Sequence, residues 1–131
     1  MTVPDHVLAE LRTAAQAAAE KLATNISGLD VGERLGITDA FLICSAPSDR
    51  QINAICDEIE VELKKQHGSS PLRREGRDSG TWVLLDYGHM VIHVQHEQER
   101  AVYGLDRLYA DVPRLDLGIT EGDLPQQDES L

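Results

Sequence analysis

The chain is short of the residues that usually carry chemistry. Only two of its 131 residues are cysteines, Cys44 and Cys56, and they lack C-x-x-C spacing. That removes a zinc signal. Both lie in apolar surroundings, so they read as small buried hydrophobes rather than as a disulfide. Aromatics amount to 4%, with a single tryptophan. No apolar run approaches the roughly 20 residues that span a bilayer. The N-terminus has no basic segment leading into an apolar core, which argues against an export signal, so a cytoplasmic location is expected. Basic charge is scarce too: 12 Lys and Arg stand against 23 Asp and Glu, a formal net charge of −11. A general nucleic-acid binder needs a positive surface. An acidic body suits a basic protein partner instead.

Catalytic patterns are equally thin. There is no G-x-G-x-x-G and no G-K-[ST] phosphate loop. The junction at Ser45 to Ser48 resembles an anion-binding helix start, but Ser48 and Gln51 have capping-box spacing, which explains it without a ligand. Two-metal transfer chemistry needs at least two converging carboxylates. Asp86 stands alone in its segment, and nothing in the spacing ties Asp39 to it. His89, His93 and His96 occur at odd offsets with no carboxylate or cysteine at ligand spacing, so they read as structural or surface residues. A triad of Ser45, His93 and Asp86 can be drawn on paper, as it can for any chain of this size. No catalytic residue, metal site or cofactor is assigned.

What is present is a well-patterned fold. Asp5 to Thr24 reads as a helix, with Val7, Leu8, Leu11, Ala14, Ala15, Ala18 and Leu22 at helical spacing. Ile26 to Val31 is a short first strand, and the continuous apolar run Ala40 to Ala46 predicts a central strand buried on both faces. Ser48 opens a helix whose stripe is Ile52, Ile55, Cys56, Ile59 and Leu63, and Gly68 closes it. Ser69 to Arg74 predicts a short edge strand. Thr81 to Asp86 and His89 to Gln95 form a hairpin with Tyr87 and Gly88 as its turn. Glu97 to Val112 predicts one last helix, with Ala101, Val102, Leu105, Leu108, Tyr109 and Val112 facing inward. Residues 113–131 form an acidic, Gly- and Pro-punctuated tail expected to be mostly disordered. The outcome is an α/β (α+β) domain over residues 1–112, a mixed β-sheet with flanking helices.

The stretch Glu75 to Gln95 carries the interaction signal. Trp82 follows a polar, glycine-bracketed loop, and Tyr87 sits at the predicted turn tip, where core packing is least expected. Aromatics placed this way anchor protein interfaces. Arg73, Arg74 and Arg77 cluster beside them as a local basic patch. Tyr103 and Tyr109 read as core-filling.

Three ordered motifs resemble the bacterial ribosomal silencing factor (Iojap-like) family: I-T-D-A-F-L-I-C-S-A-P-S-D-R-Q-I-N-A-I from Ile37, R-E-G-R-D-S-G-T-W-V-L-L-D-Y-G-H-M-V-I-H-V from Arg74, and R-A-V-Y-G-L-D-R-L-Y from Arg100. The resemblance implies a nucleotidyltransferase-like fold that lacks catalytic residues. It also implies a translational repressor that binds the large ribosomal subunit through its L-fourteen protein and sterically blocks small-subunit joining. The contact positions it implies are Trp82, Leu85, Asp86 and Tyr87, with Glu75 in the preceding loop. Arg73, Arg74 and Arg77 would reach peripheral rRNA, and a homodimer through the hairpin face is a further expectation. The alternatives are a large-subunit assembly factor using the same face and an active nucleotidyltransferase. Ala46, His89 and Tyr109 depart from the glycine, aspartate and tryptophan usual in that family.

Overall fold

The computed structural model describes residues 3–119. Helix α1 (Asp5–Glu20) buries Val7, Leu11, Ala14, Ala15 and Ala18 along one stripe. It ends earlier than its periodicity predicts, because Leu22 takes a φ of 65° and the Ala23 amide turns back to the Ala18 carbonyl at 3.0 Å. Strand β1 (Thr24–Asp30) follows, then a one-turn helix α2 (Gly32–Leu35) that the sequence does not announce. Strand β2 (Ala40–Ala46) is buried at all seven positions, as a continuous apolar run requires. Helix α3 (Asp49–His67) is capped by Ser48, whose hydroxyl accepts from the Gln51 amide, and closes at Gly68 with φ 69°. The predicted cap residues at both ends are the observed ones.

The remaining elements are β3 (Arg73–Glu75), β4 (Trp82–Asp86), β5 (Met90–His96), α4 (Glu97–Tyr103) and α5 (Leu105–Leu108). The sheet order is β1-β2-β5-β4-β3, with β2 and β5 parallel and the other neighbours antiparallel. The fold is therefore the mixed sheet with flanking helices that the sequence predicts. Alternation decides the two faces. Leu42, Cys44, Val83, Leu85, Met90, Ile92 and Val94 join Leu11, Ile52, Ile55 and Ile59 in the main core under α1 and α3. Burying each of the larger ones contributes roughly 2 kcal/mol. On the opposite face Leu29, Val31, Phe41 and Ile43 form a second cluster with Leu35, Leu105, Tyr109 and Val112. That cover extends to β5, where Val91 borders the second cluster and His93 and Gln95 are buried. The outer face of β4 is only partly covered, and β3 is exposed.

Three expectations change. The last helix is broken: Gly104, at φ 65°, accepts the left-handed geometry that ends α4, so α5 starts in a new direction. Ala101, Val102 and Leu108 are consequently exposed rather than inward. The hairpin turn is shifted by one residue. The Tyr87 amide bonds the Met90 carbonyl at 2.9 Å, which leaves Gly88 (φ 86°) and His89 as the two loop residues. Finally, the predicted tail does not begin at residue 113. Pro113 accepts from the Asp30 amide at 2.9 Å, the Leu115 amide donates to Gly28 at 2.8 Å, and Leu115 is buried with Leu117 and Ile119 packed nearby. This strap belongs to the body, while residues 120–131 lie outside the described chain.

Candidate interaction site

The open face is built outward from β4. Its approach is the loop 76–81, where Gly76 takes φ 90° and a Cβ would run into the Trp82 carbonyl oxygen. The Gly80 amide and Ser79 hydroxyl both bond the Gly76 carbonyl, at 3.0 and 3.1 Å. Arg77 ties the loop to α3 through Asp57 at 2.6 Å. The loop thus delivers Trp82 to the first position of β4, with its indole on the face away from α1 and α3.

There the indole Nε1–H donates to His93 Nδ1 at 3.2 Å across the hairpin. Tyr103 of α4 lies against its other side, ring centres 5.0 Å apart. The ring of His93 meets Phe41 edge-on at 4.7 Å, and Phe41 meets Tyr109 at 5.3 Å. An aromatic row therefore crosses the sheet from β4 to α5. Beside it runs a groove of about 620 Å³, floored by Phe41, Leu84, Val91 and His93 and rimmed by Ile37, Leu72, Arg73, Glu75 and Asp86. Ile37 is 85% exposed and Leu72 72%, so two large apolar side chains stand in solvent at the groove's rims.

The sequence-predicted positions divide between the faces. Trp82 and Asp86 point to the open side, and Glu75 is exposed on the edge strand with no ion pair among the described residues. Leu85 and Tyr87 do not: Leu85 is fully buried and Tyr87 is 4% exposed, both in the core under the helices. The one-residue turn shift explains this, because it keeps Tyr87 in the strand's alternation with Val83 and Leu85. Burial raises the Tyr87 phenol above its ordinary pKa, and its hydroxyl has no partner among the described residues.

The three arginines do not form one free basic patch. Arg73 pairs with Asp86 at 3.0 Å, Arg74 forks onto Glu60 at 2.7 to 3.1 Å, and Arg77 holds Asp57. The Gly88 amide and the Arg73 guanidinium together keep the Asp86 carboxyl below its usual range. The paper triad is also dispersed, since Ser45 bonds Thr24 and Arg100 while His93 bonds Trp82. Among the described residues no three His, Cys, Asp or Glu side chains are placed to hold a metal ion. Burial pushes Cys44 up to about 12 and Cys56 up to about 11, so both stay as protonated thiols.

Tyr103 is the clearest residue that sequence reasoning misplaced: it is 58% exposed and flanks Trp82 instead of filling the core. His93 was legible in principle: the predicted Tyr87–Gly88 turn sets it opposite Trp82, and the observed register, with Gln95 opposite Trp82, leaves it the diagonal neighbour on the same face. Ile37 and Leu72 carried no local signal.

A family model described as ribosomal silencing factor during starvation matches residues 4–130. This chain belongs to that family. It is 40% identical over 107 residues to the ribosomal silencing factor of Bacillus subtilis, covering 82% of this chain and 90% of the relative. A mouse protein named mitochondrial assembly of ribosomal large subunit protein 1 is 30% identical over 89 residues, 66% of this chain and 39% of its own length. A solved protein from Chromobacterium violaceum superposes with a TM-score of 0.74 at 24% identity, over 92% of this chain and 95% of that one, which shows the shared fold. For this ribosomal silencing factor family member, the outer side of β3 and β4, with the groove beside it, is sheet surface that its own helices leave partly exposed.

Proposed function

We propose that this protein represses translation by binding the large ribosomal subunit through its L-fourteen protein, with its bulk blocking the small subunit from joining. The reading is supported by the family and carried by one observation: Trp82 sits half-buried on an open sheet face beside an apolar groove, on pre-bonded supports. A half-buried indole offers large contact area at low entropic cost. Asp86 and Glu75 add acidic groups for lysines or arginines of a basic ribosomal protein. Leu85 and Tyr87 act from beneath, as the core layer that fixes the strand. The role is non-enzymatic and cytoplasmic. Peripheral rRNA contact through Arg73, Arg74 and Arg77 is the weaker part, since each is neutralised internally. A homodimer through the hairpin face would compete with ribosome binding.

The alternative is a large-subunit assembly factor that uses the same face, which the name of the mouse relative favours. Sedimentation of the protein with separated subunits, and then with both mixed under joining conditions, separates the readings. Co-migration with the large subunit and loss of the joined peak supports silencing. Co-migration with joining intact supports assembly, and no co-migration removes both.

A further inference from the structure

His93 occupies a place that packing alone does not explain. Its ring is 6% exposed on the outer side of β5, against the edge of Phe41. Nδ1 accepts the Trp82 indole proton, so the neutral ring carries its own proton on Nε2. That Nε2–H is buried and has no hydrogen-bond partner among the described residues. On the same strand Gln95, paired in register with Trp82, is fully buried, and both atoms of its side-chain amide lack a partner among the described residues. A buried donor left unpaired is destabilising, whereas an apolar side chain in the same slot would carry no such cost. Among the described residues, the one side-chain hydrogen bond of His93 holds the indole N–H of Trp82.

We infer that His93 is a positioning residue for the interaction face, fixing the Trp82 indole in its docking orientation before a partner arrives. The inference rests on the docking reading proposed above. An anchor already held in one rotamer loses less freedom on binding, and that saving appears directly in affinity. His93 thus trades stability for readiness, a pattern common at functional sites. Tyr103 braces the indole from the other side but is itself exposed, so it cannot set the orientation alone.

The test compares His93→Leu with His93→Asn in the full chain. Leucine keeps the volume and removes both the acceptor and the unpaired donor. Asparagine restores an acceptor near the position of Nδ1. Because Trp82 is the only tryptophan, its fluorescence anisotropy in the free protein reports on the indole without ambiguity. His93→Leu should unfold at the same or a higher denaturant concentration, show lower Trp82 anisotropy, and bind isolated large subunits on the order of five-fold more weakly. His93→Asn should recover anisotropy and affinity together. Wild-type anisotropy or wild-type affinity in His93→Leu overturns the inference. So does a binding loss that tracks lost stability and is not rescued by asparagine. Trp82→Ala run alongside separates the failures: if it binds like wild type, the docking reading is wrong and the positioning role goes with it.

Discussion

Burial strips His93 of water and lowers its pKa from the ordinary 6.5 to about 4. Between those two values the unfolded chain binds a proton that the folded chain refuses, so stability falls as pH falls through that window. The full difference amounts to about 3 kcal/mol. Unfolding midpoints in urea should therefore drop between pH 6.5 and 4 in the wild type, and His93→Leu should remove most of that drop. Asp86 and Asp106 lie below the ordinary carboxylate range because of the Gly88 amide and Arg73, and of Arg100, respectively. Their contribution is present above that range and is lost only at lower pH, so it does not mask the histidine. An equal drop in wild type and variant would show that His93 is solvated. Trp82→Ala tests the face itself. Truncating an interface anchor costs roughly 2 kcal/mol or more, about 30-fold in affinity, while Trp82 lies outside both buried clusters and its loss should leave the fold intact. Co-sedimentation at wild-type level would move the interface elsewhere.

At the level of elements, a buried arginine ties α4 to the sheet and to α5. Arg100 is 8% exposed and reaches under β1, where a bulge between Thr24 and Ser27 interrupts the ladder and Asn25 takes φ 51°. Its Nη1 donates to the Asn25 carbonyl at 2.5 Å and to Ser45 Oγ at 3.2 Å, while Nε and Nη2 grip Asp106 of α5 at 2.9 and 3.0 Å. Arg100→Met would leave that carbonyl and Asp106 without their donors, at a cost of about 3 kcal/mol. Urea unfolding measures the loss, and a change below 1 kcal/mol would show that water replaces the guanidinium. None of this was legible in the sequence, where Arg100 reads as one more charge on a helix. The elements that were legible are those whose signals are local: the capped helix α3, and β2 with its unbroken apolar run. The break at Gly104 was missed because helical periodicity runs on through Leu105 and Leu108. Tyr87 was misplaced because a hairpin's side-chain direction depends on which two residues turn, and a shift of one inverts it. Charge composition also hid the strap 113–119, since three alternating apolar residues, Leu115, Leu117 and Ile119, suffice to dock an otherwise polar segment.

Across the whole molecule the net charge of −11 meets a partner particle made largely of polyanionic RNA. A protein that docks on rRNA phosphates releases condensed counterions, and its affinity falls with salt by about 0.7 to 0.9 log units per contact. Three phosphate contacts from Arg73, Arg74 and Arg77 would give a slope of about −2 to −3. In this structure each of those arginines already faces Asp86, Glu60 or Asp57, so moving one to a phosphate would strand a carboxylate beside RNA. The apolar anchor surface around Trp82, Ile37 and Leu72 has no such dependence, because hydrophobic burial does not weaken with moderate salt. Affinity for isolated large subunits, measured from about 50 to 300 mM monovalent salt at fixed magnesium, should therefore change with a slope between 0 and −1. A slope of about −2 or steeper would place the arginines on phosphate and make rRNA, rather than a basic ribosomal protein, the main electrostatic partner. The same series read as rates separates steering from grip: acidic steering toward a basic protein would slow association as salt rises, and the Trp82 contact would leave dissociation nearly constant.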